Sequence, residues 1–437
     1  MQRYDSYKDS GIQWLGEIPS HWGIYKIRYN YYLKGRIGWQ GLKSNEFCDV
    51  GPYLVTGTDF ERGRIIWERC YHISQKRYDE APEIHVMEGD LLMTKDGTVG
   101  KTAYVDSKPP QVSLNSHLLI VRPLYKGKCD NKFLQYVIYS NIFVDFYKIY
   151  SSGSIMESIS QEKFCDFRFP LPHIKEQQAI VSYLDTATAK IDEAIAQQQK
   201  MIDLLNERKQ IIINNAVTKG LNPNAKMKPS GIDWIGNIPE HWEVKRIRYI
   251  GEANNGLTYS PNDMVDEGSG ILVLRSSNIQ GGKLVFDDNV FVKNAPSKLL
   301  VRKGDIIICS RNGSASLVGK CAIVENNIYA SYGAFMMRFR SGHNNKYIYY
   351  LLTSAIGHYK QLFSTSTINQ LTLGIFADIK MPFVSNPTEQ ADIANSLDVA
   401  ISEIDTTIYN ASKKIDLLHE RKQIIINDVV TGKVKVV

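Results

Sequence analysis

The sequence contains the same text twice. Residues 10–22 (SGIQWLGEIPSHW) return as residues 230–242 (SGIDWIGNIPEHW), and residues 202–218 (IDLLNERKQIIINNAVT) return as residues 415–431 (IDLLHERKQIIINDVVT). The offsets of 220 and 213 residues are both close to half of the 437-residue length. The chain is therefore an internal repeat of two halves, and its function must explain why one framework is needed twice.

Each half contains a segment with the composition of a mixed domain. Residues 23–168 and 243–380 are rich in β-branched and aromatic residues, and glycine-containing turns divide their short apolar runs. This pattern predicts mostly strands, with helices at residues 131–150 and 345–363. The two segments share this plan but little identity, which predicts two similar α+β domains rather than one large core.

A long helical segment follows each domain. Glycine and proline are absent from Glu176 to Ala216 and from Glu389 to Val429, and an apolar stripe runs at heptad spacing through both segments. This stripe predicts the core of a coiled coil. Its residues are Leu184, Ile191, Ile195, Ile202, Leu205 and Ile212 in the first helix and Leu397, Ile404, Ile408, Ile415, Leu418 and Ile425 in the second. Roughly 40 helical residues at ~1.5 Å each make a rod of about 60 Å.

The order of the segments predicts the direction of the helices. Because the termini of a compact domain usually lie close together, the end of the first helix should lie near the start of the second. We therefore expect an α+β fold in which two similar α/β domains are separated by a long antiparallel two-helix coiled coil with pseudo-two-fold symmetry. The expected boundaries are 1–172 for the N-terminal segment and first domain, 173–218 for the first helix, 219–384 for the linker and second domain, and 385–437 for the second helix and tail.

Composition narrows the class of protein. Hydrophobic residues make up 43% of the chain and charged residues 22%, no apolar run approaches 18 residues, and the first ten residues are polar. These features predict a soluble, cytoplasmic protein without an export signal. The six cysteines are scattered and form no C-x-x-C pair, so we expect neither a zinc site nor a disulfide framework. The net charge of +6 permits nucleic-acid binding without requiring it.

Two similar but non-identical domains on a stiff spacer suit a target with two similar but non-identical parts. Duplex DNA is such a target, because half-sites on one face recur every ~34 Å, or about 10 base pairs. A rod of about 60 Å, reduced by the footprint of the domains, falls in that range.

The repeated motifs resemble those of a known family. An entrance motif, W-x-G-x-I-P-x-H-W, precedes each domain, at Trp14 to Trp22 and at Trp234 to Trp242. An exit motif follows each domain, as FPLPHIKEQ and MPFVSNPTEQ, and each long helix contains L-L-x-E-R-K-Q. Together these motifs resemble the specificity (S) subunit of Type I restriction-modification systems. The resemblance covers essentially the whole chain.

This resemblance carries several expectations. It implies two target recognition domains that each recognise one half of a split, asymmetric DNA site. It implies helices that set the spacer and dock two adenine methyltransferase (M) subunits, and it implies restriction (R) subunits in the larger complex. S-adenosylmethionine would then be held by the M subunits, ATP with Mg by the R subunits, and no cofactor by this chain.

Candidate DNA contacts lie on glycine-containing loops with basic, amide or hydroxyl side chains. Arg and Lys pair with guanine edges, Asn and Gln pair with adenine edges, and glycine lets the backbone approach a phosphate. The alternative for each residue alone is a solvated loop position. The candidates are Lys34, Arg36, Gln40, Lys43, Lys95, Lys101, Ser152 and Ser154 in the first domain, and Asn254, Asn255, Arg275, Asn278, Arg311, Asn312, Thr367, Asn369 and Gln370 in the second.

Two sets of apolar residues are candidate contacts for partner subunits. The entrance tryptophans Trp14, Trp22, Trp234 and Trp242 either form such a surface or pin each domain to the end of its helix. Three consecutive isoleucines in each helix cover more arc than one neighbouring helix can bury. The outer members of these runs, Ile211, Ile213, Ile424 and Ile426, therefore meet either a helix of an M subunit or the underside of a domain.

Catalytic motifs are absent from the sequence. It has no glycine-rich cofactor loop with an N-P-P-Y-like or P-C motif, and no G-x-x-x-x-G-K-[ST] nucleotide loop. We therefore expect a chain that is not itself an enzyme. The alternatives are a coiled-coil scaffold that binds proteins and a stand-alone DNA-binding regulator without a modification partner.

Overall fold

The computed structural model describes residues 2–36, 41–151, 158–360 and 369–436. It divides into two compact units, of which unit 1 comprises Met1–Gln199 with Lys413–Val437 and unit 2 comprises Lys200–Ser412. Each long helix therefore supplies one part to unit 1 and the other part to unit 2. Among the described helices, none is both long enough and apolar enough to cross a membrane.

Unit 1 contains the first copy of the repeated domain. Its strands are β1 (Tyr7–Asp9), β2 (Glu17–Pro19), β3 (Gly23–Lys26), β4 (Tyr31–Gly35), β5 (Phe47–Val55), β6 (Phe60–Glu61), β7 (Arg64–Ile65), β8 (Tyr71–Ile73), β9 (Leu91–Thr94), β10 (Thr102–Tyr104), β11 (Val112–Leu114), β12 (Leu118–Pro123) and β13 (Arg168–Leu171). Its helices are α1 (Ile27–Asn30), α2 (Gln75–Asp79), α3 (Asn131–Tyr139), α4 (Asn141–Ser151), α5 (Gln161–Cys165) and the first part of α6 (Ile174–Lys219).

The central sheet of unit 1 is antiparallel, with the order β10-β9-β12-β4. It is apolar on both faces because alternate residues enter different cores. Leu91 and Met93 pack with α3 and α4, whereas Leu92 between them packs with the second sheet, β11-β5-β8. In that second sheet β11 and β5 are parallel.

Unit 2 repeats this plan. Its strands are β14 (Met227–Pro229), β15 (Asn237–Pro239), β16 (Glu243–Arg246), β17 (Gly251–Asn255), β18 (Met264–Val265), β19 (Ile271–Leu274), β20 (Ile279–Gln280), β21 (Lys283–Leu284), β22 (Phe291–Val292), β23 (Ile306–Cys309), β24 (Cys321–Ile323), β25 (Ala330–Tyr332), β26 (Met336–Ser341) and β27 (Lys380–Phe383). Its helices are the last part of α6, α7 (Asn345–His358), α8 (Leu373–Asp378) and the first part of α9 (Pro387–Val430). The order β17-β26-β23-β24 matches β4-β12-β9-β10, and the parallel pair β19-β25 matches β5-β11.

The helix predicted at residues 131–150 is instead two helices, α3 and α4. Ser140 separates them with an extended backbone, and its hydroxyl donates to the Val137 carbonyl at 2.6 Å and accepts from the Ile142 N–H. This local capping by a serine side chain competes with a continuous helix. In unit 2, α7 ends at His358, before the predicted residue 363.

The entrance motif of each unit is fastened to the start of a long helix. The Trp22 indole N–H donates to Glu176 at 3.1 Å, and the Trp242 indole N–H donates to Glu389 at 2.9 Å. Both of these tryptophans are fully buried. They hold each domain on its own helix and present no surface to a partner, so the partner-surface expectation is wrong for these two residues.

The long helices are antiparallel within each unit. In unit 1 Lys422 pairs with Asp192 at 2.7 Å, while Leu184, earlier in α6, shares a core with Val430, later in α9. In unit 2 Lys209 pairs with Asp405 at 2.6 Å, and residues 213–217 share a core with residues 393–401. All the predicted stripe residues are buried or half-buried.

In each run of three isoleucines, one outer member is buried in the core of its unit and the other is exposed to solvent. Ile213 and Ile426 are 2% and 3% exposed and join the cores of their own units, so the expectation that they contact a partner is wrong. Ile211 and Ile424 are 52% and 49% exposed. For those two residues a partner contact stays a prediction.

Candidate nucleic-acid interface

The loops at one end of the unit 2 sheet form a single polar surface. They follow β19 and β23 and precede β26. Asn312 donates from its side chain to the Ser276 hydroxyl at 3.2 Å, and Asn369 donates from its side chain to the Gly313 carbonyl at 3.2 Å. Arg311 pairs with Gln370 in an isolated antiparallel bridge. Four predicted residues, Arg311, Asn312, Asn369 and Gln370, are thus brought together.

Phe335 lies beside Arg311 on this surface and was not predicted from the sequence. Its side chain is 59% exposed, and the Arg311 guanidinium lies 5.2 Å from the centre of its ring. The backbone N–H groups of Ser310 and Arg311 both donate to its carbonyl, at 2.9 and 3.1 Å. The loop therefore presents a cation and an aromatic ring side by side on a fixed backbone.

A close approach of two glycines completes the surface. A Cβ on Gly256 would lie 2.2 Å from the Gly333 carbonyl oxygen, so only glycine fits there. This contact brings the end of β17 against the loop that carries Phe335. Asn255, the last residue of β17, is exposed, whereas the half-buried Asn254 donates to Glu252.

Two predicted residues of unit 2, Arg275 and Asn278, use their side chains in bonds within the domain. Asn278 is 1% exposed, donates to the Val285 carbonyl at 3.0 Å and accepts from the Arg275 N–H at 2.9 Å. Its prediction as a DNA contact is wrong, because it caps a turn from the inside. The Arg275 guanidinium is held by Asp288 through an ion pair of 2.7 Å and a backbone hydrogen bond of 3.1 Å.

The corresponding loops of unit 1 carry different chemistry. Lys95 and His117 both contact Asp96, at 2.7 and 3.1 Å, and the side chain of His117 is 65% exposed. Asp96 also bridges to Ser158. Burial raises the pKa of Asp96, but hydrogen bonds from Lys95 and His117 outweigh it and hold that pKa below its ordinary value. Asp96 and His117 were not predicted from the sequence.

Three predicted residues of unit 1 are partly or fully buried, and two of them bond to backbone carbonyls. Arg36 is 5% exposed, donates to the Leu114 carbonyl at 2.8 Å and to Ser113 at 2.9 Å, and burial lowers its pKa to about 10. Lys101 donates to the Gly57 carbonyl at 2.9 Å, and Lys34 is half-buried within β4. Arg36 in particular ties strands together, so its prediction as a DNA contact is wrong.

The remaining candidates divide by position. Lys43 is exposed beside a short 3-10 helix that follows it. Gln40, Ser152, Ser154 and Thr367 lie outside the described residues.

The two loop surfaces occupy equivalent places on the repeated framework. Each follows the strand β9 or β23 and precedes the strand β12 or β26. In unit 1 the place is taken by Lys95, Asp96 and His117, and in unit 2 by Arg311 and Phe335. The framework is repeated while the exposed groups differ, as the sequence predicted for two similar but non-identical domains.

Comparisons with known proteins agree with this organisation. A family model described as the Type I restriction modification DNA specificity domain matches residues 39–202 and 239–414. The chain is 24% identical to the type I restriction enzyme MjaVIII specificity subunit of Methanocaldococcus jannaschii, over 96% of this chain and 94% of that protein.

Further similarities extend to a bacterial relative and to a solved structure. The chain is 23% identical to the EcoKI specificity subunit of Escherichia coli (strain K12), over 71% of this chain and 66% of that protein. This chain superposes with a TM-score of 0.71 and 15% sequence identity on a chain from a solved structure. That structure is described as the structural basis underlying complex assembly and conformational transition of the type I R-M system. It covers 95% of this chain and 99% of that chain, which shows a common fold.

Proposed function

Because the chain belongs to the family of type I restriction-modification DNA specificity subunits, which recognise sequence and carry no catalytic site, we propose that its two loop surfaces each recognise one half of a bipartite, asymmetric DNA site. The observation that carries this proposal is the pairing of one repeated framework with two different sets of exposed loop groups. A chain that bound two copies of one feature would gain nothing from that difference.

The exposed groups have the chemistry of base recognition. In unit 2 the Arg311 guanidinium can donate to guanine O6 and N7, Gln370 can pair with adenine, and the Phe335 ring can contact the 5-methyl group of thymine. In unit 1 Lys95 and His117 supply donors, and Asp96 supplies a carboxylate that can accept from cytosine N4. These assignments predict a different preference for each half-site.

The long helices are proposed to dock two M subunits. Support comes from apolar residues that remain exposed at equivalent positions of the repeat. Leu204 and Ile211 in α6 are 55% and 52% exposed, and Leu417 and Ile424 in α9 are 57% and 49% exposed. Each pair is spaced by seven residues, so its members lie on one stripe of the helix. A partner helix laid along that stripe would bury both.

The same helices are proposed to set the spacer between the half-sites, since each of them passes from one unit into the other. In the complete complex we propose that the M subunits hold S-adenosylmethionine and that R subunits use ATP with Mg, whereas this chain holds no cofactor. We further propose that the complex works on chromosomal DNA in the cytoplasm.

A direct test is to purify this chain with its M subunit and to map the methylated motif by sequencing modified DNA. We expect a split motif with two different halves, and we expect binding that weakens steeply with salt because phosphate contacts release counterions. Arg311→Ala should relax the preference at one half and leave the other half intact. A complex that shows no salt dependence would instead indicate a protein scaffold, and selective binding by the chain alone would indicate a stand-alone regulator.

A further inference from the structure

An exposed tyrosine recurs at the same place in both units. The sequence I-R-Y occurs at residues 27–29 and again at residues 247–249, five residues after the buried tryptophan of each entrance motif. The side chains of Tyr29 and Tyr249 are 66% and 73% exposed. Both rings therefore keep most of their surface in solvent.

Basic residues surround one carboxylate beside each tyrosine. In unit 1 Asp166 accepts from Lys26 at 2.7 Å and from Arg28 at 3.1 Å. In unit 2 Asp378 pairs with Arg246 at 3.3 Å and also with Arg248. A third basic residue lies directly across a strand ladder in each case. We call these surfaces the arginine–tyrosine patches, formed by Lys26, Arg28, Tyr29, Asp166 and Arg168 in unit 1 and by Arg246, Arg248, Tyr249, Asp378 and Lys380 in unit 2.

Folding does not account for this arrangement. Arg168 lies opposite Lys26, and Lys380 lies opposite Arg246, and like charges directly opposed on a sheet are destabilising. Ion pairs at exposed positions contribute little, and an exposed tyrosine ring gains almost none of the free energy of burial. Positive charge therefore remains in excess around each carboxylate. The loop groups differ between the two units, whereas this exposed set is retained in both.

Each patch lies at the end of its sheet opposite to the loop surface. Tyr29 comes just before β4, whose first residue pairs with Pro123, while His117 precedes the other end of β12. In unit 2, Tyr249 comes just before β17, which begins opposite Ser341. The other end of β17 lies opposite Met337, two residues after Phe335 of the loop surface. A five-residue strand separates the two surfaces by about 16 Å. The patch is therefore not an extension of the base-recognising loops.

The chemistry of the patch favours a protein partner over DNA. Tyrosine and arginine are the residues enriched at the centres of protein interfaces. A phosphate backbone laid on the patch would meet the carboxylate of Asp166 or Asp378, whose side chains are 40% and 54% exposed. A protein surface with one carboxylate and one apolar side chain can instead satisfy the surplus cations and cover the ring.

We propose that each arginine–tyrosine patch is a docking surface for one copy of the same partner protein, through a carboxylate that meets the basic residues and an apolar side chain that packs on the tyrosine. This inference rests on the proposed function, in which one modification subunit is used twice. It adds a second contact for that subunit, on the domains rather than on the long helices.

The test uses the full chain and the M subunit of the same system. Tyr29→Ala, Tyr249→Ala and the double variant are compared with Tyr71→Ala and Tyr329→Ala, which remove exposed tyrosines elsewhere in the two units. We expect each single patch variant to bind one copy of the M subunit normally and the other about tenfold or more weakly. The double variant should weaken both copies, and the two controls should bind as the wild type does. Thermal melting of each variant checks that the fold is unchanged.

Two results would overturn this inference. Equal binding by patch variants and controls would do so, as would a patch variant that keeps its M subunit but has a shallower salt dependence for random duplex DNA, which would make the patch a phosphate contact. Failure of the proposed function looks different, because the wild-type chain itself would then bind no M subunit.

Discussion

The two tryptophans of each entrance motif have different surroundings, although the sequence treats them alike. Trp22 donates its indole N–H to Glu176 at 3.1 Å, and Glu176 also contacts His21 at 3.0 Å. The indole nitrogen of Trp14 is buried and has no hydrogen-bond partner. Trp234 repeats this second arrangement in unit 2, where its ring stacks on His358 at 4.5 Å.

This contrast predicts unequal effects of the same substitution. Trp22→Phe should lower the free energy of unfolding by about 1–3 kcal/mol, because it leaves a partly buried carboxylate oxygen without its indole donor. Trp14→Phe removes a donor that has no acceptor, so it should cost clearly less. Urea denaturation of both variants measures the difference, and Trp242→Phe with Trp234→Phe repeats the comparison in unit 2. Equal losses within a pair would show that the indole–glutamate bond contributes little.

Phe335 gives a prediction about a single chemical group of the DNA. If its ring contacts a thymine methyl, then replacing that thymine by uracil should weaken binding about fourfold, as expected for one buried methyl group. Phe335→Ala should bind both DNAs equally. His117→Ala, in the equivalent loop of unit 1, should keep the difference between them. Scanning each thymine of the mapped site by competition binding provides the measurement, and a variant that still distinguishes uracil from thymine would contradict the contact.

Among the individual DNA-contact candidates, the sequence predicted the correct loops better than the correct side chains. Arg311 and Asn312 follow β23, whereas Asn369 and Gln370 come just before α8, and the bridge from Arg311 to Gln370 brings the two segments together. Arg36 and Asn278 are residue types that can contact bases, but their side chains donate to backbone carbonyl groups inside the domains. Phe335 was not predicted because an aromatic residue within an apolar run is normally assigned to the core. His117 was not predicted because its segment, Asn115 to His117, contains no glycine.

The long helices were the elements most accessible to prediction, because their heptad spacing and their lack of glycine and proline leave few alternatives. The break between α3 and α4 was not predicted, since it depends on the Ser140 hydroxyl reaching backbone groups of its own segment. The inward or outward position of each isoleucine also required the structure, because the arc covered by the domain beside the helix is a property of tertiary packing.

The isoleucine runs of the long helices supply matched variants. Ile213→Ala and Ile426→Ala should each destabilise their unit by about 2–5 kcal/mol, because they leave a cavity in a buried core. Ile211→Ala and Ile424→Ala, two residues earlier, should leave the free energy of unfolding within about 0.5 kcal/mol of the wild type. These two variants at exposed positions should instead weaken the binding of the M subunit to this chain. Denaturation and co-purification together separate the two effects, and stable variants with undiminished M binding would remove the helices as the docking site.

The internal repeat should make each recognition domain exchangeable. The domains carry the differing loops, whereas the anchors to the helices, Trp22 with Glu176 and Trp242 with Glu389, are the same in both. Replacing residues 243–380 by the equivalent segment of a relative should therefore change one half of the methylated motif and preserve the other half. Sequencing of modified DNA reads both halves in one experiment. A change in both halves would mean that the units do not recognise DNA independently.

The structure also fixes where the proposed spacer should be lengthened. Residues 199 and 412 are equivalent in the repeat, and each is the last residue before the division between the units. One heptad inserted after both positions leaves the Lys422–Asp192 pair inside unit 1 and the Lys209–Asp405 pair inside unit 2. Seven residues add ~10 Å, or about 3 base pairs. We expect the preferred gap to lengthen by that amount.

Insertion into α6 alone is the matched control. It lengthens one helix against an unchanged partner, so the stripe and the ion pairs can no longer be aligned in both units at once. This single insertion should lower the free energy of unfolding and abolish methylation, whereas the double insertion should fold. A double-insertion complex that folds, methylates DNA and keeps the original gap would show that the long helices do not set the spacer.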